Sequence, residues 1–358
     1  MPEIVSFRPE LLDSHCVVDV RTPLEFDEDH LPGAINVPIL TNEERVEIGT
    51  IHKQVGPQQA RVRGLELTCG RFAALVNEIA HAAAGRPVLV YCWRGGLRSQ
   101  SVAILLEAIG HRVFRLRGGY KAFRGQVNVY FEKFAPPAPL FVIHGMTGSG
   151  KTTFINGLDR QKWTAIDLEG LACHRGSAFG SVGLEQVVNQ KRFDTLLWDA
   201  FRKAPIDRAI VLEGESQRIG KIMLPGCVHR VMSTSCRIWG KASLETRVRR
   251  LMAEYAREEY REEMAAALLR IKKKLGGPKY AELSAMLEQW DVAGLGKGLI
   301  ECYYDKLYYK HAPWKPDLEI DLEDFVVAER QLETFWSRFG AFSENGRQAS
   351  HQGQDLFV

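Results

Sequence analysis

Two short segments of this chain carry residue types at spacings that can do chemistry. The first is Cys92-Trp93-Arg94-Gly95-Gly96-Leu97-Arg98-Ser99, which follows the apolar run PVLVY and leads into a helical pattern. A cysteine set directly after a buried strand, in a glycine-containing turn that opens a helix, faces free backbone N–H groups and the positive end of the helix dipole. Both favour thiolate over thiol, and Arg94 and Arg98 add positive charge, so Cys92 is expected to be a nucleophile at neutral pH. An inert cysteine at a strand end is the plainer alternative, but it leaves the spacing of glycines and arginines unexplained. The second segment is Gly145-Met146-Thr147-Gly148-Ser149-Gly150-Lys151-Thr152, a complete G-x-x-x-x-G-K-T match between LFVIH and the helix-like TTFINGL. The glycines let successive N–H groups close around a phosphate, Lys151 supplies a point charge, Thr152 can ligand magnesium, and Thr153 completes the candidate set. This motif identifies a di- or triphosphate grip and names no reaction.

A phosphate loop that hydrolyses a nucleotide usually works with an Asp at the end of a second apolar strand. The candidate strand AIVLE ends instead in Glu213-Gly214-Glu215. Glu213 can take that place, with helix capping or plain surface acid as the alternative for both glutamates. The departure weakens the case for ordinary ATP hydrolysis. Between the two strands, His174-Arg175-Gly176-Ser177-Ala178-Phe179-Gly180 combines base, aromatic ring and glycine in one turn. Such a turn suits a phosphate, a stacked base or a prenyl chain, and equally a loop with no ligand.

Strands and helices must hold both segments in place, and 358 residues suffice for two domains of about 150 each. The boundary falls at residues 134–139, FAPPAP, whose prolines remove backbone donors and stiffen the chain. Before it, CVVDV, PVLVY and RVFRL alternate with helical patterns, which predicts an α/β domain with a mainly parallel sheet over residues 1–133. After it, LFVIH, a glycine-rich turn, a helix and further apolar runs at AIVLE and CVHRVMS open a second α/β domain over 140–340. Residues 243–290 are rich in Ala, Glu, Lys, Arg and Leu and predict helices broken at Gly276-Gly277-Pro278. The polar residues 341–358 are expected to fray.

Composition is ordinary for a globular chain, 45% apolar and 25% charged, which excludes a mostly disordered or fibrous protein. No apolar run approaches the ~18 residues that cross a bilayer, and the acidic start is unlike a signal peptide, so a cytoplasmic protein is expected. Seven cysteines, scattered without a C-x-x-C pair, suggest neither a disulfide framework nor a zinc site, and no metal centre is expected. The net charge of +3 conceals a polarity: residues 1–50 hold 3 Lys/Arg against 11 Asp/Glu, and residues 51–135 hold 13 against 4. Such segregation gives local fields able to attract a polyanion, or belongs to helices with solvated charged faces.

Asp19-Val20-Arg21-Thr22-Pro23-Leu24-Glu25-Phe26, then His30-Leu31-Pro32-Gly33-Ala34-Ile35-Asn36-Val37-Pro38, resemble the amino-terminal signature of the rhodanese family. Leu116-Arg117-Gly118-Gly119-Tyr120 resembles its closing one. The resemblance covers nearly all of residues 1–125 and implies that Cys92 accepts a chalcogen as a persulfide cradled by loop amides. One feature departs from it: the loop reads C-x5-R rather than the usual C-x4-R, a form similar to rhodanese-fold phosphatases, whose arginine grips phosphate oxygens. A rhodanese-like domain joined to a P-loop domain, with the two loops, H-R-G-S-A-F-G and L-E-G-E-S-Q-R-I-G, resembles the tRNA 2-selenouridine synthase family up to about residue 340.

That second resemblance implies that wobble 2-thiouridine (position 34) of tRNA becomes 2-selenouridine, with selenophosphate as donor and an S-geranyl intermediate made from geranyl diphosphate. On this reading Gly145 to Thr152 bind the diphosphate, or ATP, with magnesium left open. Cys92 carries or directs selenium, and Arg94 and Arg98 grip the phosphate of selenophosphate. The partners are tRNA and the enzyme that produces selenophosphate, with no membrane. Residues 86–124 (8 Lys/Arg against one Glu) and Arg247–Lys274 are candidate tRNA contacts. Tyr303, Tyr304, Tyr308 and Tyr309 stack bases or fill a core. The rival readings are a rhodanese-type sulfurtransferase or C-x5-R phosphatase fused to a P-loop kinase-like domain, and a non-enzymatic, nucleotide-gated tRNA-binding module.

Overall fold

Residues such as Cys16, Val17 and Val18, or Val88, Leu89 and Val90, are apolar at successive positions, which a strand sustains only when both of its faces are covered. The computed structural model covers them in that way. It describes residues 1–184, 187–307 and 315–351, with side chains given to residue 338. The chain forms two compact units, residues 1–134 with 189–202, and residues 135–188 with 203–358.

The first unit contains strands β1 (Glu3–Val5), β2 (Cys16–Asp19), β3 (Ile35–Asn36), β4 (Val88–Tyr91) and β5 (Val113–Leu116). They form one parallel sheet in the order β1-β5-β4-β2-β3. Its helices are α1 (Glu10–Ser14), α2 (Pro23–Glu28), α3 (Asn42–Gln54), α4 (Pro57–Thr68), α5 (Phe72–Ala83), α6 (Leu97–Ala108) and α7 (Gly119–Glu132). The core joins Val18, Val90 and Cys92 of the sheet side to Ile79 of α5 and to Val102 and Leu106 of α6, all at or near zero exposure.

The second unit begins with β6 (Leu140–His144), α8 (Lys151–Gly157), β7 (Thr164–Ile166) and the short α9 (Leu168–Leu171). The next helix, α10 (Gln190–Arg202), belongs with the first unit, although the sequence places it well past the 134–139 boundary. Its buried stripe of Phe193, Leu197, Trp198 and Phe201 meets aromatic partners there. Trp198 lies 5.4 Å from Phe123 and 5.9 Å from Phe7, and Phe201 lies 4.8 Å from Phe134, between ring centres.

The chain then forms β8 (Ile210–Glu213), the hairpin β9 (Arg218–Ile219) and β10 (Ile222–Met223), α11 (Gly226–Thr234) and β11 (Cys236–Lys241). CVHRVMS, an apolar run on sequence grounds, is therefore a helix: Val228 and Met232, four apart, are its buried side, and Pro225 precedes it. A helical layer follows, α12 (Leu244–Tyr255), α13 (Arg261–Leu275), α14 (Gly277–Glu288), α15 (Val292–Leu299) and a π-helical turn at Ile300–Tyr304, broken at Gly276 as expected. Strand β12 (Leu318–Asp321) and α16 (Phe325–His351) complete the unit, so that residues 341–351 continue a helix where the sequence suggests a frayed tail. Five strands form a parallel sheet in the order β12-β11-β6-β8-β7. Among the described residues, no helix is long and apolar enough to cross a membrane.

Candidate active sites

In the first unit the parallel strands deliver three of the sequence segments to one edge of the sheet. β2 runs into Val20-Arg21-Thr22, β4 into Cys92, and β5 into Arg117-Gly118-Gly119-Tyr120. Cys92 is 3% exposed, its Sγ 3.3 Å from Ser99 Oγ and 3.9 Å from the Gly96 carbonyl oxygen, inside the turn that opens α6. The amides of Tyr120 and Lys121 donate to the carbonyls of Cys92 and Trp93 at 2.9 and 3.0 Å, which fixes the cysteine loop to the closing segment. Gly119 has φ 58°, and a Cβ there would lie 2.1 Å from the Cys92 carbonyl oxygen and 2.6 Å from the Gly95 nitrogen. Only glycine allows so close an approach.

Two buried ionic nodes support this edge. Arg21, fully buried, donates to Asp19 Oδ2 through Nη2 and Nε at 2.6 and 2.9 Å and to the Asp29 carbonyl at 2.7 Å, and its guanidinium lies 4.0 Å from the Tyr120 ring centre. Asp29, also fully buried, accepts hydrogen bonds from Tyr120 Oη and from Thr195 Oγ1 of α10, both at 2.8 Å. Burial pushes its carboxyl up, against the pull of these two hydroxyls and of Arg124 and Arg192 at 3.7 Å.

The basic residues of this unit sort into two groups. Arg98 is not free beside Cys92, since its Nη1 donates to Glu25 at 2.7 Å. Burial alone would raise the Glu25 carboxyl, but Arg98 holds it below its usual range. Arg115 donates to the Gly95 carbonyl at 2.8 Å, and Arg124 is held by Asp194 and Thr195 at 3.2 and 2.9 Å. Arg94, Arg117 and Lys121, by contrast, are exposed and make no ion pair among the described residues.

The second unit presents the phosphate loop between β6 and α8. Lys151 Nζ donates to the Gly145 carbonyl at 3.0 Å, and Thr152 Oγ1 donates to Glu169 Oε2 at 3.0 Å. Gly148 and Gly150 take φ of 79° and 87°, and Ser149 is 1% exposed with no hydrogen-bond partner for its Oγ among the described residues. Arginines of α12 hold the loop by its carbonyls. Arg247, 4% exposed, donates to Thr147 at 2.8 Å and pairs with Asp305 at 2.6 Å; Arg250 donates to Ser149. Arg247 is thus part of the loop's support and is withdrawn from the tRNA-contact stretch that the sequence suggests.

The acidic residues around the loop differ from expectation. Glu213, at the end of β8, is fully buried and accepts from the Leu168 amide at 2.8 Å; burial, then Asp167, pushes its carboxyl well up. Glu169 and Glu215, neither in the candidate set, face the cavity above the loop and share a hydrogen bond. Burial, then the Glu169 charge, raises Glu215 to about 7. The His174–Gly180 turn rests on this pair, because a Cβ on Gly176 would lie 2.6 Å from Glu169 Oε1 and 2.7 Å from Glu215 Oε2. His174 packs against Gly180 and Gly220, and Arg175 pairs with Glu254 and donates to the Val182 carbonyl at 2.6 Å. Burial lowers His144, beside Lys151, to about 4. Among the described residues, no three His, Cys, Asp or Glu side chains are grouped to hold a metal ion.

A cavity of about 1790 Å³, lined entirely by the second unit, opens over the loop. Thr147, Gly148, Gly150, Lys151, Thr152 and Thr153 of the loop line it, and so do Met264, Val292, Leu295, Leu299 and Tyr303 of the helical layer. Its volume exceeds the roughly 300–1,000 Å³ of a small-ligand pocket. Tyr303 and Tyr304, both 7% exposed, are core residues of that layer, while Tyr308 and Tyr309 lie outside the described residues.

Comparison with known proteins assigns a family to each of the two domains. Residues 8–126 match the rhodanese-like domain, and residues 138–317 match the tRNA 2-selenouridine synthase AAA domain. The chain is 36% identical over 337 residues to the tRNA 2-selenouridine synthase of Cupriavidus necator, covering 86% of this chain and 91% of that protein. For the same enzyme of Cupriavidus pinatubonensis the identity is 34% over 333 residues, covering 84% and 90%. For that of Shewanella loihica it is 32% over 360 residues, covering 92% and 95%.

Proposed function

The chain belongs to the tRNA 2-selenouridine synthase family, and on that premise we propose that its two units divide the exchange of sulfur for selenium at C2 of a wobble 2-thiouridine into an alkylation and a substitution. Sulfide is a poor leaving group, and alkylation makes it a better one. In the alkylation the thiocarbonyl sulfur attacks C1 of geranyl diphosphate, the C1–O bond breaks, and N3 loses its proton. Diphosphate departs into the grip of Lys151 and the loop amides. Where magnesium accompanies it, Thr152 and Glu169 are the oxygens at hand, and the ion would neutralise charge on the leaving group.

The observation that carries this reading is a single cavity lined both by the phosphate loop and by aliphatic side chains of the helical layer. A ligand that is polyanionic at one end and hydrocarbon at the other suits it better than a nucleotide does. The volume also leaves room for an extruded base.

In the substitution, the selenium of selenophosphate adds at C2, the C2–S bond breaks and the geranylthiolate leaves, and water then cleaves the P–Se bond and releases phosphate. Cys92, in the turn that opens α6, directs the selenium to C2. Arg94 is free to grip the phosphate, whereas Arg98 joins only by exchanging Glu25 for it. An enzyme that makes selenophosphate must supply the donor, and a tRNA substrate is consistent with a cytoplasmic protein.

Two half-reactions test the division. Lys151→Ala should abolish geranylation of 2-thiouridine tRNA and leave selenation of pre-geranylated tRNA intact, and Cys92→Ala should do the reverse. Normal selenation by Cys92→Ala, or an exchanged pattern, overturns the assignment. Stimulation of both steps by ATP without use of geranyl diphosphate would make the loop a nucleotide site.

A further inference from the structure

We infer that Gly296 sets the length of the prenyl chain that the cavity accepts, an inference that rests on the alkylation proposed above. Helix α15 reads VAGLGKGL, three glycines in eight residues, although a glycine inside a helix is less favourable than alanine. Two of the three have a reason within the fold. A Cβ on Gly294 would lie 2.1 Å from the carboxylate of Asp291, the side chain that caps the helix by accepting from the Gly294 amide at 2.8 Å. A Cβ on Gly298 would lie 2.6 Å from Leu283 of α14. Gly296 has none: its φ lies outside the left-handed region, and a Cβ there would meet nothing within 4 Å.

The surroundings say where that space lies. Val292, Leu295, Gly296 and Leu299 stand at i, i+3, i+4 and i+7, one face of the helix, and all four line the cavity. Three of them present aliphatic side chains and the fourth presents none, so the face carries a notch with an apolar rim. A notch of this kind fits a hydrocarbon chain whose diphosphate is held at the loop. A side chain at 296 would occupy the volume of the chain's distal carbons without straining the protein. One methylene in an apolar pocket changes discrimination by roughly 10–200-fold.

The test compares wild type, Gly296→Ala and Gly296→Leu in transfer from prenyl diphosphates of five, ten and fifteen carbons to a 2-thiouridine anticodon stem-loop, followed by mass spectrometry. Melting temperatures report folding, and Gly296→Ala, which favours the helix, should not melt below wild type. For Gly296→Leu, the ratio of kcat/KM for the ten-carbon donor to that for the five-carbon donor should fall at least tenfold, with Gly296→Ala between. A folded Gly296→Leu that keeps the wild-type ratio overturns the inference while leaving the alkylation in place. A wild type that transfers none of the three donors overturns the alkylation and this inference with it.

Discussion

Gly119→Ala is the sharpest perturbation of the cysteine loop, because the added methyl has only backbone to displace. Its Cβ would lie 2.1 Å from the Cys92 carbonyl oxygen, so one of the two loops must move by about 1.3 Å before the pair reaches ordinary contact near 3.4 Å. The left-handed φ of 58° adds roughly 1–2 kcal/mol for a residue with a Cβ, and overpacking adds about 1–3 kcal/mol. The sum, about 2–5 kcal/mol, lowers the melting temperature of a domain this size by roughly 4–20 °C. A displacement of about 1 Å at a reacting group costs on the order of 100-fold in rate. Selenation of pre-geranylated tRNA, assayed by nucleoside mass spectrometry below the variant's melting temperature, should therefore fall about 100-fold. Geranylation should not change, since the phosphate loop and its cavity belong to the other unit. Gly33→Ala is the control: it has the same kind of backbone angle, φ 72°, with nothing within 4 Å of a Cβ, and should lose stability by the strain alone while selenating normally. Normal selenation by folded Gly119→Ala, or an equal loss in Gly33→Ala, refutes the view that this close approach shapes the cysteine loop.

Four further outcomes follow from the same geometry. Arg21→Met leaves Asp19 buried without its partner and should destabilise the protein by about 3–5 kcal/mol in urea titration, far more than loss of an exposed pair. Glu215 is raised from 4.5 to about 7, so it keeps its proton in the folded state while the unfolded chain gives it up. Stability from this group is complete below pH 4.5 and is lost as pH rises to about 7; Glu215→Gln should flatten that slope and be the more stable protein at pH 8 by thermal melts. Replacing Arg94, Arg117 and Lys121 together with alanine should lower the slope of log Kd for tRNA against log salt by about 2–3, one unit or slightly less per phosphate contact, whereas an unchanged slope removes them from the interface. Trp198→Ala should cost about 3–5 kcal/mol and raise hydrogen exchange in β4 and β5 rather than in β6 and β8, because the ring packs on Phe7 and Phe123 of the first unit.

The chemistry-bearing loops were readable because each is local. A strand, a glycine turn and a helix start lie within about a dozen residues of one another, and their spacing constrains the backbone directly. What escaped the sequence is what chain separation hides. The alternation of apolar and polar residues in α10 states that Phe193, Leu197 and Phe201 are buried, but not against which surface, and the helix lies with residues far from it along the chain. Arg247 reads as one more base in a basic stretch until its guanidinium is seen between the Thr147 carbonyl and Asp305. Glu169 and Glu215 are 46 positions apart and meet because β7 and β8 lie side by side in one parallel sheet, with both acids just beyond the strand ends. The only sequence signal for Glu215 was its place two residues past Glu213.

Topology explains where both sites are, and the residues explain why they differ. In each sheet the loop in question follows the central strand, β4 between β5 and β2, and β6 between β8 and β11. There the chain's next strands and its other strands lie on opposite sides, which opens a crevice beyond the carboxyl ends of a parallel sheet. That location alone predicts an anion site in each unit, and no more. In the first unit the Arg117–Tyr120 segment packs directly on the Cys92 loop, with no room for a side chain at Gly119. In the second unit the helical layer α12–α15, inserted between β11 and β12, both anchors the loop through Arg247 and Arg250 and supplies aliphatic lining to the same cavity. The aliphatic lining of the cavity is therefore a property of the insertion rather than of the sheet, and the prenyl ligand proposed above depends on that insertion as much as on the phosphate loop.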